Sequence, residues 1–274
     1  MIKLLIFGPS GAMGKLVSKL ALNDEYIEIV AACDIKDIRV KLGNIVSETD
    51  PNEIKISHVK DLEYIIEQTQ PDVAVDFTIA KATEINSLIC AKKGIKCVIG
   101  TTGLSKTFLE NFRETIEKYE VPAVISSNMA TGVNVFIKMV SILSKYLKDW
   151  DIEIIETHHH RKQDSPSGTA LTIGETICNA IDCTFDNVAK FGRDKGPNKR
   201  SVGAKNEIGI HSIRAGDIVG DHTVLYAGSG ERIEFKHQAH NRNCFATGAI
   251  KAIKFVMEQN EPKIYEMRDV LSLE

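Results

Sequence analysis

The chain has 274 residues, a length that fits one large domain or two smaller ones. Hydrophobic residues make up 43% and charged residues 26%, as in ordinary globular proteins, and no stretch has the roughly 18 apolar residues that a membrane span needs. The formal charge of -3 argues against a nucleic-acid-binding protein, because such proteins usually carry a basic excess.

The six cysteines are scattered and form no Cys-x-x-Cys pair. This pattern favours free thiols in a reducing compartment over a disulfide framework. The chain starts with an apolar run, residues 2–7, that no charged or apolar leader precedes. We therefore expect a cytoplasmic protein with no membrane partner.

The first motif is a glycine turn between a predicted strand, residues 2–7, and a predicted helix. Gly8 permits a tight turn, Gly11 lets the backbone approach a pyrophosphate, and Gly14 allows the helix to lie close to the strand. A second predicted strand ends at Asp34, whose carboxylate can accept hydrogen bonds from a ribose 2′-hydroxyl. The spacing G-x-x-G-x-x-G is a variant of the dinucleotide fingerprint. The alternative is a tight loop without a ligand.

The alternation of strands and helices continues and predicts a parallel sheet. Further strands are predicted over residues 73–77, 96–100 and 121–126. Two polar segments follow the last two strands directly, Gly100-Thr101-Thr102-Gly103 and Ser126-Ser127-Asn128-Met129. Both lie at the carboxyl edge of the sheet, where open α/β folds bind ligands. The threonines indicate either a contact to nicotinamide or substrate, or only a turn before a helix capped by Ser105.

The pattern changes in the second half. After a helix over residues 133–147, three long strands are predicted over residues 208–214, 218–227 and 232–238. We expect an antiparallel sheet with one face that no helix of the chain buries. A sheet of another subunit could pack against that face. The basic segment 191–205 is expected to be a mobile loop or a solvated connector.

These elements predict an α/β protein with a Rossmann-type parallel-sheet domain and an α+β domain that contains a mixed, mainly antiparallel sheet. Residues 1–127, together with 241–274, are assigned to the dinucleotide-binding domain, since the last predicted helix is expected to return to it. Residues 128–240 are assigned to substrate binding and oligomerisation.

Three consecutive histidines, His158, His159 and His160, follow an apolar run in the middle of the chain. On an extended strand they would point to alternate faces, so they cannot converge on one ion, and no other framework completes a tetrahedral set. We therefore predict no metal site. A run of solvated or structural histidines is one alternative.

An anion pocket with a proton donor is the stronger interpretation of this stretch. An unperturbed histidine titrates near about pH 6.5 and is protonated at modest cost when an anionic substrate arrives. Lys162 adds a fixed positive charge, and Ser167 is a natural cap for a helix whose first N–H groups, at Gly168 and Thr169, can bind a carboxylate. Two kinds of carboxylate holder suggest a dicarboxylic substrate, and the dinucleotide domain suggests hydride transfer.

The segment Glu153–Ala170, EIIETHHHRKQDSPSGTA, closely resembles the signature of the 4-hydroxy-tetrahydrodipicolinate reductase (dihydrodipicolinate reductase) family of lysine and diaminopimelate biosynthesis. Further resemblances run along the whole chain: Gly8–Gly14, Asp76-Phe77-Thr78, Gly100–Gly103, Gly132-Val133-Asn134, Arg214–Asp217 and Met267–Leu271. The resemblance implies reduction of 4-hydroxy-tetrahydrodipicolinate to tetrahydrodipicolinate by NADH or NADPH, with loss of water. It also implies a homotetramer formed through the second sheet.

The same resemblance implies roles for individual residues. His158 would protonate the carbon next to the one that receives hydride, and Lys162 would be its partner. The substrate carboxylates would be held by His159, Gly168, Thr169 and Thr102. The cofactor would lie against Gly8, Pro9, Ser10, Gly11, Ala12, Met13, Asp34, Gly100, Thr101, Thr102, Ser126, Ser127, Asn128 and Met129.

One departure from the family pattern bears on cofactor choice. Family members often carry arginine where this chain has Ala12 and Ile35. Fewer guanidinium groups would then meet a 2′-phosphate, and Asp34 would repel it. We therefore predict that NADH is preferred, with Lys36 or Arg39 as residues that could restore NADPH use.

Two other functions fit parts of the sequence. Another Rossmann dehydrogenase, acting on an amino or keto acid, would keep the glycine turn but would not require the arrangement from His158 to Thr169. A nucleotide-binding regulator without activity is disfavoured, because the candidate acid and the candidate cation are both present.

Overall fold

The computed structural model describes residues 1–47 and 52–273. The strands are β1 (Ile2–Phe7), β2 (Ile27–Asp34), β3 (Ser57–His58), β4 (Val73–Asp76), β5 (Lys96–Ile99), β6 (Ala123–Ile125), β7 (Asp151–His158), β8 (Ala189–Phe191), β9 (Ile208–Arg214), β10 (Gly220–Ala227), β11 (Arg232–Ala239) and β12 (Ile264–Tyr265). The helices are α1 (Ala12–Leu22), α2 (Leu42–Val46), α3 (Leu62–Thr69), α4 (Ala80–Lys92), α5 (Lys106–Lys118), α6 (Thr131–Tyr146), α7 (Gly168–Ile181), α8 (Phe185–Val188), α9 (Asn243–Glu258) and α10 (Met267–Val270). A 3-10 turn, Val59–Asp61, precedes α3.

The chain separates into two compact units. The first unit runs from Met1 to Thr131 and resumes at Asn243, and the second unit is Gly132–Arg242. None of the helices in the described part of the chain is both long and apolar enough to cross a lipid bilayer.

The first unit contains a seven-stranded sheet in the order β12-β6-β5-β4-β1-β2-β3, and its strand pairs are parallel. The strand order reverses between β1 and β4, which are neighbours, with Phe7 opposite Asp76. The carboxyl ends of these two strands form the switch point where doubly wound sheets bind their ligands. The fold class predicted for this half of the protein is confirmed.

Helices cover both faces of this sheet. On one face, Val17 of α1 and Ile253 of α9 belong to the same buried cluster. On the other face, Ile66 of α3, Cys90 of α4 and Phe112 of α5 form a second buried cluster. A parallel sheet needs cover on both sides, and the last long helix of the chain completes one of the two layers.

The second unit contains a five-stranded mixed sheet in the order β11-β10-β7-β9-β8. Strand β7 pairs antiparallel with β10 but parallel with β9. The expectation of consecutive antiparallel strands is therefore wrong for residues 208–214, which lie beside β7 and not beside β10. The turn at residues 215–217 crosses the end of β7 and is not a hairpin turn. β10 also starts two residues later than predicted, at Gly220.

Helices pack on one face of the second sheet, and the other face is partly exposed to solvent. On one face, Ile152 and Ile154 of β7 are buried with Val140 of α6 and with Ile173 and Ile177 of α7. The side chains of the other face, here called the open face, are partly exposed: Asp151, Glu153, Ile155 and Thr157 of β7, and Asp221, Thr223, Leu225 and Ala227 of β10. Strict alternation along a strand produces these two faces.

Two arginines anchor the segment 191–205. Arg193 and Arg200 both form ion pairs with Glu153 and Glu207. Arg200 also donates hydrogen bonds to the carbonyl oxygens of Ile152, at 3.1 Å, and Glu207, at 2.7 Å. These contacts tie the segment to β7 and to the start of β9, while most of its residues are exposed, as expected for a solvated connector.

Candidate active site

The glycine turn after β1 brings α1 very close to the strand. Gly8 has a φ of +69°, a left-handed conformation that favours glycine. A Cβ at Gly14 would lie 2.0 Å from the carbonyl oxygen of Gly8, so only glycine allows this approach. Gly11, at the N-cap of α1, has no side chain that caps the first turn. The turn thus provides the backbone cradle that phosphates require.

Asp34 connects this turn to the loop that follows β2. One carboxylate oxygen accepts a hydrogen bond from the Ser10 amide at 3.1 Å, and the other accepts from the amides of Ile35 and Lys36, at 2.7 and 3.1 Å. The Ser10 hydroxyl is buried and has no hydrogen-bond partner among residues 1–47 and 52–273. A buried hydroxyl of this kind needs a partner, so the turn fits a polar ligand such as a dinucleotide.

Asp76, at the end of β4, is the centre of a buried hydroxyl cluster. One of its oxygens accepts hydrogen bonds from the Thr78 amide at 2.8 Å, the Thr78 hydroxyl at 2.6 Å and the Thr83 hydroxyl at 2.9 Å. The Thr101 hydroxyl lies 2.8 Å from that of Thr83. Asp76 therefore ties together the segments that follow β4 and β5.

The two candidate threonines after β5 have different environments. Thr101 is buried and its hydroxyl is engaged in the Asp76 cluster, whereas Thr102 is exposed. The cap of the next helix is confirmed, since the Ser105 hydroxyl accepts a hydrogen bond from the Phe108 amide at 3.1 Å. Of the two hydroxyls, only that of Thr102 is exposed to a ligand.

The remaining cofactor candidates of the first unit lie at the carboxyl edge or below it. Ser126 forms a turn with Asn128, donating to its carbonyl oxygen at 2.9 Å. Met129 and Pro9 are buried, so their side chains pack in the interior. Gly100 is required for packing, because a Cβ there would lie 2.0 Å from the Phe77 ring. Ala12, Gly11 and Ser127 are exposed, while Met13 is partly buried.

In the second unit, β7 ends at His158, so the three histidines do not share one strand. The expectation of alternating faces is therefore wrong for His159 and His160, which follow the strand. The Nδ1 atom of His158 lies 2.5 Å from the Glu156 carboxylate, and that of His160 donates to the Gly216 carbonyl oxygen at 2.9 Å. The Nδ1 atom of His159 is buried without a hydrogen-bond partner in the described part of the chain.

Glu156 is fully buried beside His158, on the helix-covered face of the sheet. Arg214 of β9 binds both of its oxygens, at 2.8 and 2.9 Å, and the Ser167 amide donates to one of them at 3.2 Å. Burial by itself would raise the pKa of Glu156. The hydrogen bonds from His158, Arg214 and Ser212 outweigh burial and hold this pKa well below its usual range.

The predicted cation, Lys162, forms an ion pair with Asp164 at 2.7 Å. Partial burial would raise the pKa of Asp164, but the hydrogen bond and charge of Lys162 lower it. Arg214 also donates to the carbonyl oxygen of Asp164 at 2.6 Å. The loop that carries Lys162 is therefore fastened to the same arginine that binds Glu156.

The predicted cap of α7 is confirmed. The Ser167 hydroxyl accepts a hydrogen bond from the Ala170 amide at 3.2 Å. Gly168, the first residue of α7, is exposed, and a Cβ there would meet only open space. Thr169 is partly buried in the same first turn. The helix N-terminus is thus accessible to an anionic group.

Four residues important for this geometry were not assigned a role from the sequence: Asp76, Glu156, Arg214 and His222. Glu156 lies two residues before His158 on a strand, so strand periodicity was a usable signal that they share a face. The contacts of Arg214 and His222 depend on the pairing of β9 and β10 with β7. The sequence carries no signal for that pairing.

Comparison with known proteins gives matches along the whole chain. Residues 2–129 match the family model described as dihydrodipicolinate reductase, N-terminus, and residues 132–271 match dihydrodipicolinate reductase, C-terminus. A relative named 4-hydroxy-tetrahydrodipicolinate reductase from Methanosarcina acetivorans is 44% identical over 278 residues, covering 100% of both chains. Another of that name, from Methanocaldococcus jannaschii, is 42% identical over 276 residues, covering 100% of this chain and 98% of the relative.

A solved structure is also similar over nearly the whole chain. Dipicolinate-bound dihydrodipicolinate reductase from Paenisporosarcina sp. TG-14 superposes with a TM-score of 0.77 at 28% identity, covering 97% of each chain. Amine dehydrogenase from Mycobacterium smegmatis, at 14% identity and a TM-score of 0.61, covers 96% of this chain and 94% of its own and shares the fold alone.

Proposed function

Since the chain belongs to the dihydrodipicolinate reductase family, we propose that it reduces 4-hydroxy-tetrahydrodipicolinate to tetrahydrodipicolinate with a reduced nicotinamide dinucleotide. The observation that carries this proposal is the buried pair of His158 and Glu156 beside the exposed start of α7. A proton donor and a carboxylate-binding helix terminus in one place suit a dicarboxylic substrate. The M. acetivorans and M. jannaschii relatives are named for this reaction.

The chain's own residues would divide the work as follows. His158 delivers a proton to the carbon next to the one that is reduced, and Lys162 supplies positive charge beside it. The carboxylates of the substrate are held by His159, Gly168, Thr169 and Thr102. The lowered pKa of His159, caused by desolvation and then by Arg161, keeps that ring neutral until an anion arrives.

We assign dinucleotide binding to residues 1–127 with 241–274, and substrate binding to residues 128–240. A bound reduced nicotinamide supplies the hydride. Gly8, Gly11 and Gly14 provide the backbone cradle for its phosphates, and the unpartnered Ser10 hydroxyl is a donor for the same group. Asp34 accepts from the ribose hydroxyls.

NADH is the preferred cofactor in this proposal. Asp34 is a carboxylate at the ribose end of the site, and a 2′-phosphate would face its negative charge. The neighbouring side chains, Ala12 and Ile35, are exposed and uncharged, so neither offers a guanidinium group. Lys36 and Arg39 are exposed in the loop after β2, and either could moderate the preference.

We further propose a homotetramer assembled through the open face of the second sheet. That face combines apolar Ile155 and Leu225 with the ion pairs of Glu153, and β11 is exposed along its length. A second copy of the same sheet would cover these groups. Light scattering with size-exclusion chromatography measures the mass directly, and a monomer of 30.3 kDa would contradict the proposal.

The reaction belongs to lysine and diaminopimelate biosynthesis, and we propose the cytoplasm as its location. The six cysteines are free thiols, as a reducing compartment would leave them. No metal is required in this scheme, since the proton and the positive charges come from side chains.

Freshly prepared 4-hydroxy-tetrahydrodipicolinate, with NADH and NADPH in separate assays, tests the proposal. We expect loss of the reduced-nicotinamide absorbance that depends on this substrate, and a higher kcat/KM with NADH. Amino and keto acids, in both reaction directions, are the comparison substrates. Turnover of one of those, without turnover of the cyclic imine, would overturn the proposal, and so would cofactor binding with no turnover at all.

A further inference from the structure

Glu156 contacts the proposed acid and the proposed carboxylate-binding helix at the same time. We propose that Glu156 is a positioning residue, whose carboxylate fixes a hydrogen of His158 on Nδ1 and holds the ring beside the start of α7. This inference rests on the proposed function, because it assigns a task to the environment of His158. It goes further in naming the group that sets the orientation and the tautomer of the acid.

The first step is the tautomer of His158. Its Nδ1 atom lies 2.5 Å from Oε2 of Glu156, and an ionised carboxylate only accepts hydrogen bonds. Nδ1 therefore carries a hydrogen whether the ring is neutral or charged. The other nitrogen, Nε2, is left as the atom that gains and loses a proton.

The second step concerns the space beside Nε2. A Cβ on Gly220 would lie 3.0 Å from Nε2 of His158, so the glycine keeps this side of the ring uncrowded. The His222 ring lies edge to face with His158, with ring centroids 5.3 Å apart. With Nδ1 held by Glu156 and the ring bounded by Gly220 and His222, only Nε2 is left for proton exchange.

The third step is the link to α7. The oxygen of Glu156 that does not contact His158 accepts the Ser167 amide at 3.2 Å, one residue before α7 begins. Arg214 binds both oxygens and also the Asp164 carbonyl oxygen, so it fastens the Lys162 loop to the same carboxylate. The buried carboxylate of Glu156 thus fixes the position of His158 relative to the start of α7.

The proton balance is simple. In the reaction, the Nε2–H bond breaks and a C–H bond forms on the substrate, while the electron pair of the broken bond stays on Nε2. His158 is then a neutral ring that still donates Nδ1–H to Glu156. Solvent returns the proton to Nε2 before the next turnover.

The charged and titratable groups around His158 come from five places. Glu156 lies on its own strand, Arg214 on β9 and His222 on β10, and His159 is its neighbour in sequence. Lys162 and Asp164 form their own ion pair in the following loop. Because burial, followed by the charge of His158, lowers the pKa of His222 to about 4, its ring stays neutral near pH 7. Glu156 is therefore the buried charge in direct contact with His158, and Arg214 acts on the ring through Glu156.

The test compares Glu156→Gln with Glu153→Gln. Both residues lie on β7 and both are ion-paired, but Glu153 is on the open face and contacts no residue of the proposed site. Glu156→Gln should lower kcat at pH 7.5 by at least about tenfold, the low end of what acid catalysis contributes. An amide in place of the carboxylate can donate as well as accept, so Nδ1 of His158 should no longer be fixed as a donor. Glu153→Gln should keep the wild-type kcat and the wild-type tautomer of His158.

Arg214→Gln is the second comparison. It removes a partner of Glu156 but leaves the carboxylate in place, so hydrogen should stay fixed on Nδ1 of His158 even if kcat falls. A general loss of structure would give the same tautomer mixture in Glu156→Gln and in Arg214→Gln. That result, or hydrogen fixed on Nδ1 in Glu156→Gln, would overturn the proposal.

Two further measurements keep the inference separate from the proposed function. Glu156→Asp retains a carboxylate acceptor, so hydrogen should stay on Nδ1 of His158 even if kcat falls. Nitrogen-15 NMR of the His158 ring needs no turnover, and it should show hydrogen fixed on Nδ1 in the wild type and in Glu156→Asp. If the wild type proved inert toward the cyclic imine, the proposed function would fail, and this spectrum would still decide the role of Glu156. A mixture of tautomers in the wild type would reject it.

Discussion

The imidazole rings of His158 and His222 meet edge to face, with centroids 5.3 Å apart. His222 is 4% exposed, and its Nε2 lies 3.1 Å from the Ser167 hydroxyl. Burial is the main reason that the pKa of His222 falls from 6.5 to about 4, and the charge of His158 is the second. Near pH 7 the His222 ring is therefore neutral, which leaves His158 as the proposed proton donor of the two.

The lowered pKa of His222 predicts a pH-dependent stability. The unfolded chain binds a proton at His222 more readily than the folded protein does. The contribution of the neutral His222 to the free energy of unfolding is therefore fully present above about pH 6.5 and is lost as the pH falls toward 4. The 2.5-unit difference between 6.5 and about 4 corresponds to about 3 kcal/mol in total. Between pH 7 and pH 5, the free energy of unfolding of His222→Gln should therefore fall by about 2 kcal/mol less than that of the wild type.

Urea unfolding followed by fluorescence of Trp150, the one tryptophan in the sequence, measures this in the second unit. Replacement of the exposed His160 by Gln is the matched control and should follow the wild type. Equal pH slopes for His222→Gln and the wild type would contradict the assignment of the lost stability to His222.

Replacing the proposed acid should affect turnover and not cofactor affinity. His158→Gln should lower kcat by about 10²- to 10⁴-fold, the usual contribution of a positioned acid. The dissociation constant of NADH, measured by fluorescence titration, should stay within about twofold of the wild type, a difference of under about 0.5 kcal/mol. His160→Gln again serves as the control. Normal turnover by His158→Gln would mean that another group supplies the proton.

The proposed preference for NADH follows from the negative charge of Asp34 and from the uncharged side chain of Ile35 beside it. Ile35→Arg adds a guanidinium where Ile35 is now 69% exposed, and kcat/KM with NADPH should rise by about tenfold or more, equal to about 1.4 kcal/mol of binding. Tyr146→Arg, at an 83% exposed position of the second unit, controls for added charge alone. It should leave kcat/KM unchanged with both NADH and NADPH. A tenfold preference of the wild type for NADPH would refute the underlying prediction.

The neighbouring threonines after β5 should respond differently to the same substitution. Thr101→Val removes one hydroxyl from the Asp76 cluster while Thr83 keeps its hydrogen bond to Asp76, so the cost should be that of one hydrogen bond, about 0.5–1.5 kcal/mol in stability. Thr102→Val, at an exposed position, should leave stability unchanged and raise KM for the substrate. Calorimetry and steady-state kinetics on both variants decide this. An unchanged KM in Thr102→Val would remove that residue from the proposed substrate site.

Several features could be predicted because they depend on residues close together in sequence. The glycine turn after β1, the cap at Ser105 and the cap at Ser167 follow from local conformational preferences, and all three are present in the structure. Strands β1, β2, β4, β5 and β6 of the first unit were also predicted to within a few residues, since their apolar runs are distinct. The shorter elements α2, β3, α3 and β12 were not predicted. Charge balance and the family signature then indicated the reaction class.

The groups that surround His158 could not be predicted from local sequence patterns. The run of three histidines suggested alternating side chains on one strand, yet β7 ends at His158, the last residue that pairs with β9. The Ala215 amide, in the turn at 215–217, donates to the His158 carbonyl oxygen at 2.9 Å. That turn belongs to a segment more than fifty residues away. Neither its position nor the end of β7 is encoded locally.

By itself, the sequence determined the two kinds of domain, the cofactor turn and the candidate residues from His158 to Thr169, because periodicity, glycine spacing and capping act over a few residues. Only the tertiary structure decided which groups surround His158. Strand β7 lies between β9 and β10, and this pairing brings Arg214 onto Glu156 and His222 against His158. Strand order is a long-range choice, set by which faces can be buried together, and no short stretch of sequence contains it.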